Sequence, residues 1–193
     1  MVKTLTLDLS SRNLGWACDT GRNQPAYGLV LLPGIKSLGK LYAACRNAIE
    51  TLIEEQKPDR ILFCMALFHH AQTAARALAG VQAMAELCAY DAEIECLEAN
   101  EPRARKMVLG RGSFGGVDPV TGSLIPGLGS KQAKAAVMEW CRERGYDEGR
   151  PWFGHDVGDA LVLLEYSRML QNGATHDAKP KGKRQIERLQ GGG

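Results

Sequence analysis

No run of apolar residues in this 193-residue chain approaches the roughly 18 that a membrane span requires. The opening Met-Val-Lys-Thr-Leu-Thr-Leu-Asp passes straight into a strand pattern, without the basic and apolar blocks of a secretory leader, so a cytoplasmic protein with no membrane partner is expected. The six cysteines (Cys18, Cys45, Cys64, Cys88, Cys96, Cys141) include no Cys-x-x-Cys pair and sit within apolar segments. They are expected to be reduced core residues, which excludes a disulfide framework and a cysteine zinc site. Internal repeats are absent, so solenoids and propellers are excluded as well. Net charge is small, +2, but unevenly placed. Residues 174–193 carry Lys179, Lys181, Lys183, Arg184 and Arg188 against Asp177 and Glu187, a net of +3 that leaves −1 for the remainder. A basic Gly/Pro-containing tail either adds sequence-independent attraction to phosphate or serves as a solubilising end.

What is present suits one domain with a proper core: 45% of residues are hydrophobic over a length that can bury them. The expected division is a domain over residues 1–172, carrying a glycine-rich insertion at 110–130, and a basic flexible tail over 173–193. Residues 3–9 alternate strictly, with Leu5, Leu7 and Leu9 on one face and Thr4, Thr6 and Asp8 on the other, which predicts a strand with an acid near its end. Ser10-Ser11-Arg12-Asn13 reads as a tight turn. Strands over 14–18 and 27–32 then complete an antiparallel meander closed by Pro33-Gly34. A strand-end carboxylate in a central sheet is a favoured place for a site.

Leu38, Leu41, Tyr42, Cys45, Ile49, Leu52 and Ile53 make an apolar stripe at helical spacing over 38–56. The strand predicted at 60–65 follows that helical crossover and is therefore expected to lie parallel to the first. A helix over 73–90, a strand over 94–97 and a helix with Pro102 at its first position come next. Seven glycines and two prolines in residues 110–130 speak against a helix there, and Asp118-Pro119-Val120-Thr121-Gly122 resembles a hairpin turn. Ser130 is then expected to cap a helix running to about residue 144.

His155-Asp156-Val157-Gly158-Asp159-Ala160-Leu161 opens the last helix. Asp156 and Asp159, three residues apart, share one face of its first turn beside unpaired N–H groups. Two such carboxylates suit a hard divalent cation. Equally, Asp156 can cap the helix while Asp159 favours its first turn, and no metal is then needed.

The order of elements is mixed α/β, and the two end segments sharpen it. Asp8-Leu9-Ser10-Ser11-Arg12-Asn13-Leu14-Gly15-Trp16-Ala17 resembles the opening motif of RuvC-type Holliday junction resolvases, and Asp156-Val157-Gly158-Asp159-Ala160-Leu161 resembles their closing Asp-x-x-Asp-Ala-Leu. The resemblance spans about residues 3–170, interrupted by the glycine-rich insertion. It implies a ribonuclease H-like fold: a five-stranded sheet, three strands antiparallel and then parallel ones, flanked by helices. It also implies Asp8, Asp156 and Asp159 as catalytic metal ligands for two Mg2+ ions about 4 Å apart, or Mn2+ in their place. Phosphate contacts are implied for Lys131, Lys134 and Arg105, the last standing where the family carries Lys, with solvated helix faces as the plainer reading. Phe68 matches an aromatic that wedges into unpaired bases, although a core role is equally open. His69 and His70 follow in the same loop and suit phosphate contact; nothing at metal-ligand spacing supports zinc.

The resemblance thus implies a metal-dependent, structure-selective DNA endonuclease. Its substrate would be the four-way junction or other branched DNA, in a bacterial or phage-infected cell. A homodimer follows from symmetric cuts on a two-fold substrate. One departure is plain: the family's fourth acid, a Glu at the end of the fourth strand, is absent. Its place falls on Cys64 or Met65, with Phe63-Cys64-Met65-Ala66 aligning best on the family's Phe-Glu-Ala-Pro. A thiol is mostly protonated at neutral pH and is a poor match for Mg2+. That leaves a variant with altered metal use, a deliberately inactivated chain, or a catalytically impaired branched-DNA-binding protein. Glu95 and Glu98, on the next strand, offer no direct replacement. A nuclease for RNA–DNA hybrids is disfavoured by the Asp-x-x-Asp ending and the Phe68 loop.

Overall fold

The computed structural model describes residues 2–22, 24–65, 72–116, 123, 125, 127–146 and 149–173. Among them, strands β1 (Thr4–Leu9), β2 (Asn13–Cys18), β3 (Ala26–Leu31), β4 (Arg60–Cys64) and β5 (Glu95–Ala99) form one sheet in the order β3-β2-β1-β4-β5. The helices are α1 (Leu38–Gln56), α2 (Gln72–Asp91), α3 (Glu101–Leu109), α4 (Leu128–Glu143) and α5 (His155–Gln171). β1 pairs antiparallel with β2 and parallel with β4, and β5 is parallel to β4, as the helical crossovers require.

The alternation of β1 decides which helices lie on which face. Leu5, Leu7 and Leu9 pack with Leu41, Cys45 and Ile49 of α1 and with Val81, Ala85 and Cys88 of α2. Gly80 lets those two helices close up, because a Cβ there would fall 2.1 Å from the Tyr42 ring. The opposite face of β1 is polar and is bonded to α5: Thr6 Oγ1 donates to Ala160 O at 2.7 Å, and Ser167 Oγ lies 3.2 Å from Thr4 Oγ1. α5 is buried along Val157–Leu164 because it lies between the sheet, α3 and α4. A helix apolar on every side belongs in such a place.

Local chemistry explains several boundaries. Ser37 caps α1 by accepting from Lys40 N, and Lys57 ends it in the left-handed region at φ 48°. Asn100 caps α3 by accepting from Arg103 N, so Pro102 occupies the second helical position and not the first, as expected from sequence. β5 also runs to Ala99, two residues beyond the predicted strand. α4 begins at Leu128, inside the segment judged too glycine-rich for helix, after Gly127 at φ 76°. Ser130 is therefore in its first turn and is not its cap. The Asp118–Gly122 turn and residues 174–193 of the tail lie outside the described residues. All six cysteines are thiols, four of them buried, and burial pushes Cys18 up to about 11 and Cys45 up to about 12. No described helix is long and apolar enough to cross a membrane.

Candidate active site

Asp8 is the next-to-last residue of β1, on the face that meets α5. Opposite it on β2 stands Gly15. A Cβ at Gly15 would fall 2.1 Å from the Asp156 carbonyl oxygen, so the missing side chain is what allows the start of α5 to reach the sheet beside Asp8. Asp156 does not cap α5: the cap is Gly154, which makes no side-chain capping bond, and Asp156 lies within the first turn. Its Oδ2 accepts from Asn13 Nδ2 at 2.7 Å. Asn13 is itself held by Ser10, whose Oγ accepts from Asn13 N at 2.9 Å and donates to Asn13 O at 2.9 Å. The turn between β1 and β2 thus positions one carboxylate of the last helix.

Asp159, one turn further along α5, is 9% exposed and takes a hydrogen bond from Arg105 Nη2 at 2.8 Å. The same Arg105 nitrogen is ion-paired with Glu101 in the first turn of α3. Arg105 is only 14% exposed, and its Nε is buried with no hydrogen-bond partner. The structure therefore places this expected phosphate contact among the carboxylates.

Asp159, Glu101 and Asp8 thus lie within reach of the Arg105 charge, and Asp156 stands beside Asp8 and Asp159. Burial pushes the Asp8 carboxyl well above the usual carboxylate range, and the charges of Asp159, Asp156 and Glu101 push it further, with Arg105 opposing. Burial likewise raises Asp159 and Glu101 against the pull of Arg105. The Cys64 thiol is pushed well up by burial and by Asp8, Glu101 and Asp159, so it is held neutral. Among the described residues no three His, Cys, Asp or Glu side chains are close enough, as placed, to hold one metal ion. Asp156 is engaged by Asn13, and Asp159 by Arg105. The donor chemistry nevertheless fits a hard divalent cation: the oxygens are carboxylate, and they are crowded together.

Lys131 and Lys134 are exposed, one turn apart on α4. Lys134 is near enough for its charge to pull Glu101 down, which puts it at the rim of the acidic group. Phe68, His69 and His70 lie outside the described residues. Two members of the site escaped the sequence reading. Asn13 sits inside the opening motif as an apparent turn residue. Glu101 follows a strand expected to end at residue 97, and placing that end two residues later would have brought it beside the other acids.

This is the ribonuclease H-like fold, with Asp8 near the carboxyl end of the central strand β1 and Asp156 and Asp159 at the start of the last helix. No protein-family model matches the chain, and no curated protein matches it by sequence. Solved structures do. RuvC of Thermus thermophilus in complex with a Holliday junction substrate is similar with a TM-score of 0.61 at 11% identity, covering 89% of this chain and 96% of that one. A second T. thermophilus RuvC structure gives 0.58 at 15% identity, covering 86% and 96%. The yeast mitochondrial Holliday junction resolvase Ydc2 gives 0.51 at 13% identity, covering 88% and 80%. At identities this low, the likeness shows a shared fold.

Proposed function

We propose that this protein is a divalent-metal-dependent endonuclease that hydrolyses phosphodiesters in branched DNA, the four-way junction being its substrate, and that it acts as a homodimer. The observation that carries the reading is the meeting of Asp8, Asp156 and Asp159 where Gly15 admits the first turn of α5 to the end of β1. That arrangement crowds carboxylates together, the others raising the affinity of Asp8 for a proton, in a fold shared with junction resolvases.

Mg2+ or Mn2+, two ions per site, would be held by these carboxylates and would supply Lewis-acid activation of water and of the scissile phosphate. The chain's own residues do the rest. Asn13 fixes the orientation of Asp156. Arg105 keeps Asp159 and Glu101 from repelling each other apart. Lys134, exposed at the rim of the acids, and Lys131, exposed one turn away on α4, offer charge to the phosphate backbone, whose attraction supplies most of the affinity for DNA. Symmetric cleavage of a two-fold junction calls for two such sites related by a two-fold axis.

Cys64, neutral where the family carries Glu, favours a second reading, a branched-DNA-binding protein without turnover. Incubating labelled four-way junction and linear duplex with the protein in Mg2+ and in Mn2+, with binding measured in Ca2+, separates the two. Junction-selective cleavage is the expected result. Selective binding without cleavage would assign the binding role, and equal affinity for junction and duplex would overturn both.

A further inference from the structure

The acid absent from β4 has a carboxylate standing next to its place. In the parallel register of β1 and β4, Leu7 is paired with Phe63, so Asp8 and Cys64 follow as neighbours; Cys64 is in turn paired with Ala99 of β5. Side chains alternate along each strand, so Asp8, Cys64 and Ala99 form one row on the face that meets α5 and α3. Cys64 and Ala99 pack there with Leu163. Met65, next along the chain, is 40% exposed. The missing position of the family pattern is therefore that of Cys64.

Just past Ala99 the chain turns through the cap Asn100 into α3, and Glu101 is the first helical residue. It is half-buried, shares Arg105 Nη2 with Asp159, and lies near enough for its charge to act on both Asp8 and Cys64. Glu98, on β5 opposite Phe63, belongs to the other face of the pleat and is exposed. An ordinary first-turn acid with an i,i+4 arginine partner is an exposed pair that serves its own helix. Here the arginine is 86% covered and is divided between α3 and α5.

We propose that Glu101 is the fourth carboxylate of the site, a metal ligand relocated from the end of β4 to the first turn of α3, with Cys64 filling the vacated position. The assignment rests on the metal-dependent reading above. It explains how a site without the β4 acid retains four carboxylates on three neighbouring elements, β1, α3 and α5.

The test is Mn2+ binding to the full-length protein, followed by electron paramagnetic resonance, for the wild type, Asp8→Asn, Glu98→Gln, Glu101→Gln, and Cys64→Glu combined with Glu101→Gln. Circular dichroism verifies folding of each. Glu101→Gln is expected to weaken Mn2+ binding at least about tenfold, Glu98→Gln to leave it unchanged, and the double variant to recover it to within a few-fold. Wild-type affinity in Glu101→Gln, or loss in that variant without recovery in the double variant, would overturn the assignment while leaving the metal-dependent reading intact. A wild type that binds no Mn2+, or binds it no better than Asp8→Asn does, would overturn that reading and this assignment together.

Discussion

Each end of α5 brings carboxylates and an arginine together, and the two meetings are built differently. Near its carboxyl end, Arg168 contacts Asp19 Oδ1 through both Nε and Nη2 at 2.8 Å, and the second Asp19 oxygen takes a weaker bond from Thr4 N at 3.5 Å. One buried acid there meets one arginine. At the amino end, Asp8, Asp156, Asp159 and Glu101 gather near Arg105, which pairs with two of them, and Lys134 stands at the rim. In the first group the buried acid is held by its own arginine, which also lies 3.6 Å from the partly exposed Glu165, and the pair ties the end of β2 to α5. In the second, one arginine is divided between two acids while Asp8 and Asp156 crowd beside them, and carboxylates crowded in this way mark a place built to receive something positive.

The sharpest way to break this comparison is to neutralise one acid at each end. Asp159→Asn should lower junction cleavage by more than about 100-fold while the protein stays folded. Asp19→Asn should instead cost about 3 kcal/mol in urea unfolding and leave cleavage per folded molecule unchanged. Equal loss of activity in both variants would remove the distinction between the two ends. A milder perturbation is Gly15→Ala, whose methyl group must displace the backbone of Asp156. Overpacking of this kind costs about 1–3 kcal/mol. Cleavage should fall more than stability alone explains, because the start of α5 moves away from Asp8. Unchanged cleavage in this variant would show that the close approach is dispensable.

The smallest effect is a slope with pH. Asp8, Asp159 and Glu101 all hold protons more tightly folded than unfolded. As pH rises from about 4, the unfolded chain releases those protons first, so the metal-free folded state loses stability until the raised values are passed. Thermal melts in a chelator should therefore decline over this range, and Asp8→Asn or added Mg2+ should flatten the decline. A metal-free stability that climbs with pH through the same window would contradict the crowding of these carboxylates.

Much of the scaffold was legible beforehand. The β1 alternation separated Leu5, Leu7 and Leu9 from Thr4, Thr6 and Asp8, and those two sets meet different helices in the structure. The α1 stripe matched Leu38–Gln56 at both ends, and the parallel placement of β4 followed from the crossover. Less was legible where glycine was treated as a breaker. Gly127 and Gly129 stand at the start of α4, where positive φ at the cap is tolerated and the helix that follows is held by Ala133, Val137 and Trp140 in the core.

The chain's own pattern determined which residues form strands and helices and which acids sit at strand ends and helix starts, because burial periodicity is written locally. What faces what was decided only by tertiary structure. Asn13 reaches Asp156 across 143 residues, and Arg105 reaches Asp159 across 54. Glu101 enters the site because β5 pairs with β4 as far as Ala99 before the chain turns. Strand register and the close approach at Gly15 set those meetings, and neither leaves a periodic trace in the sequence.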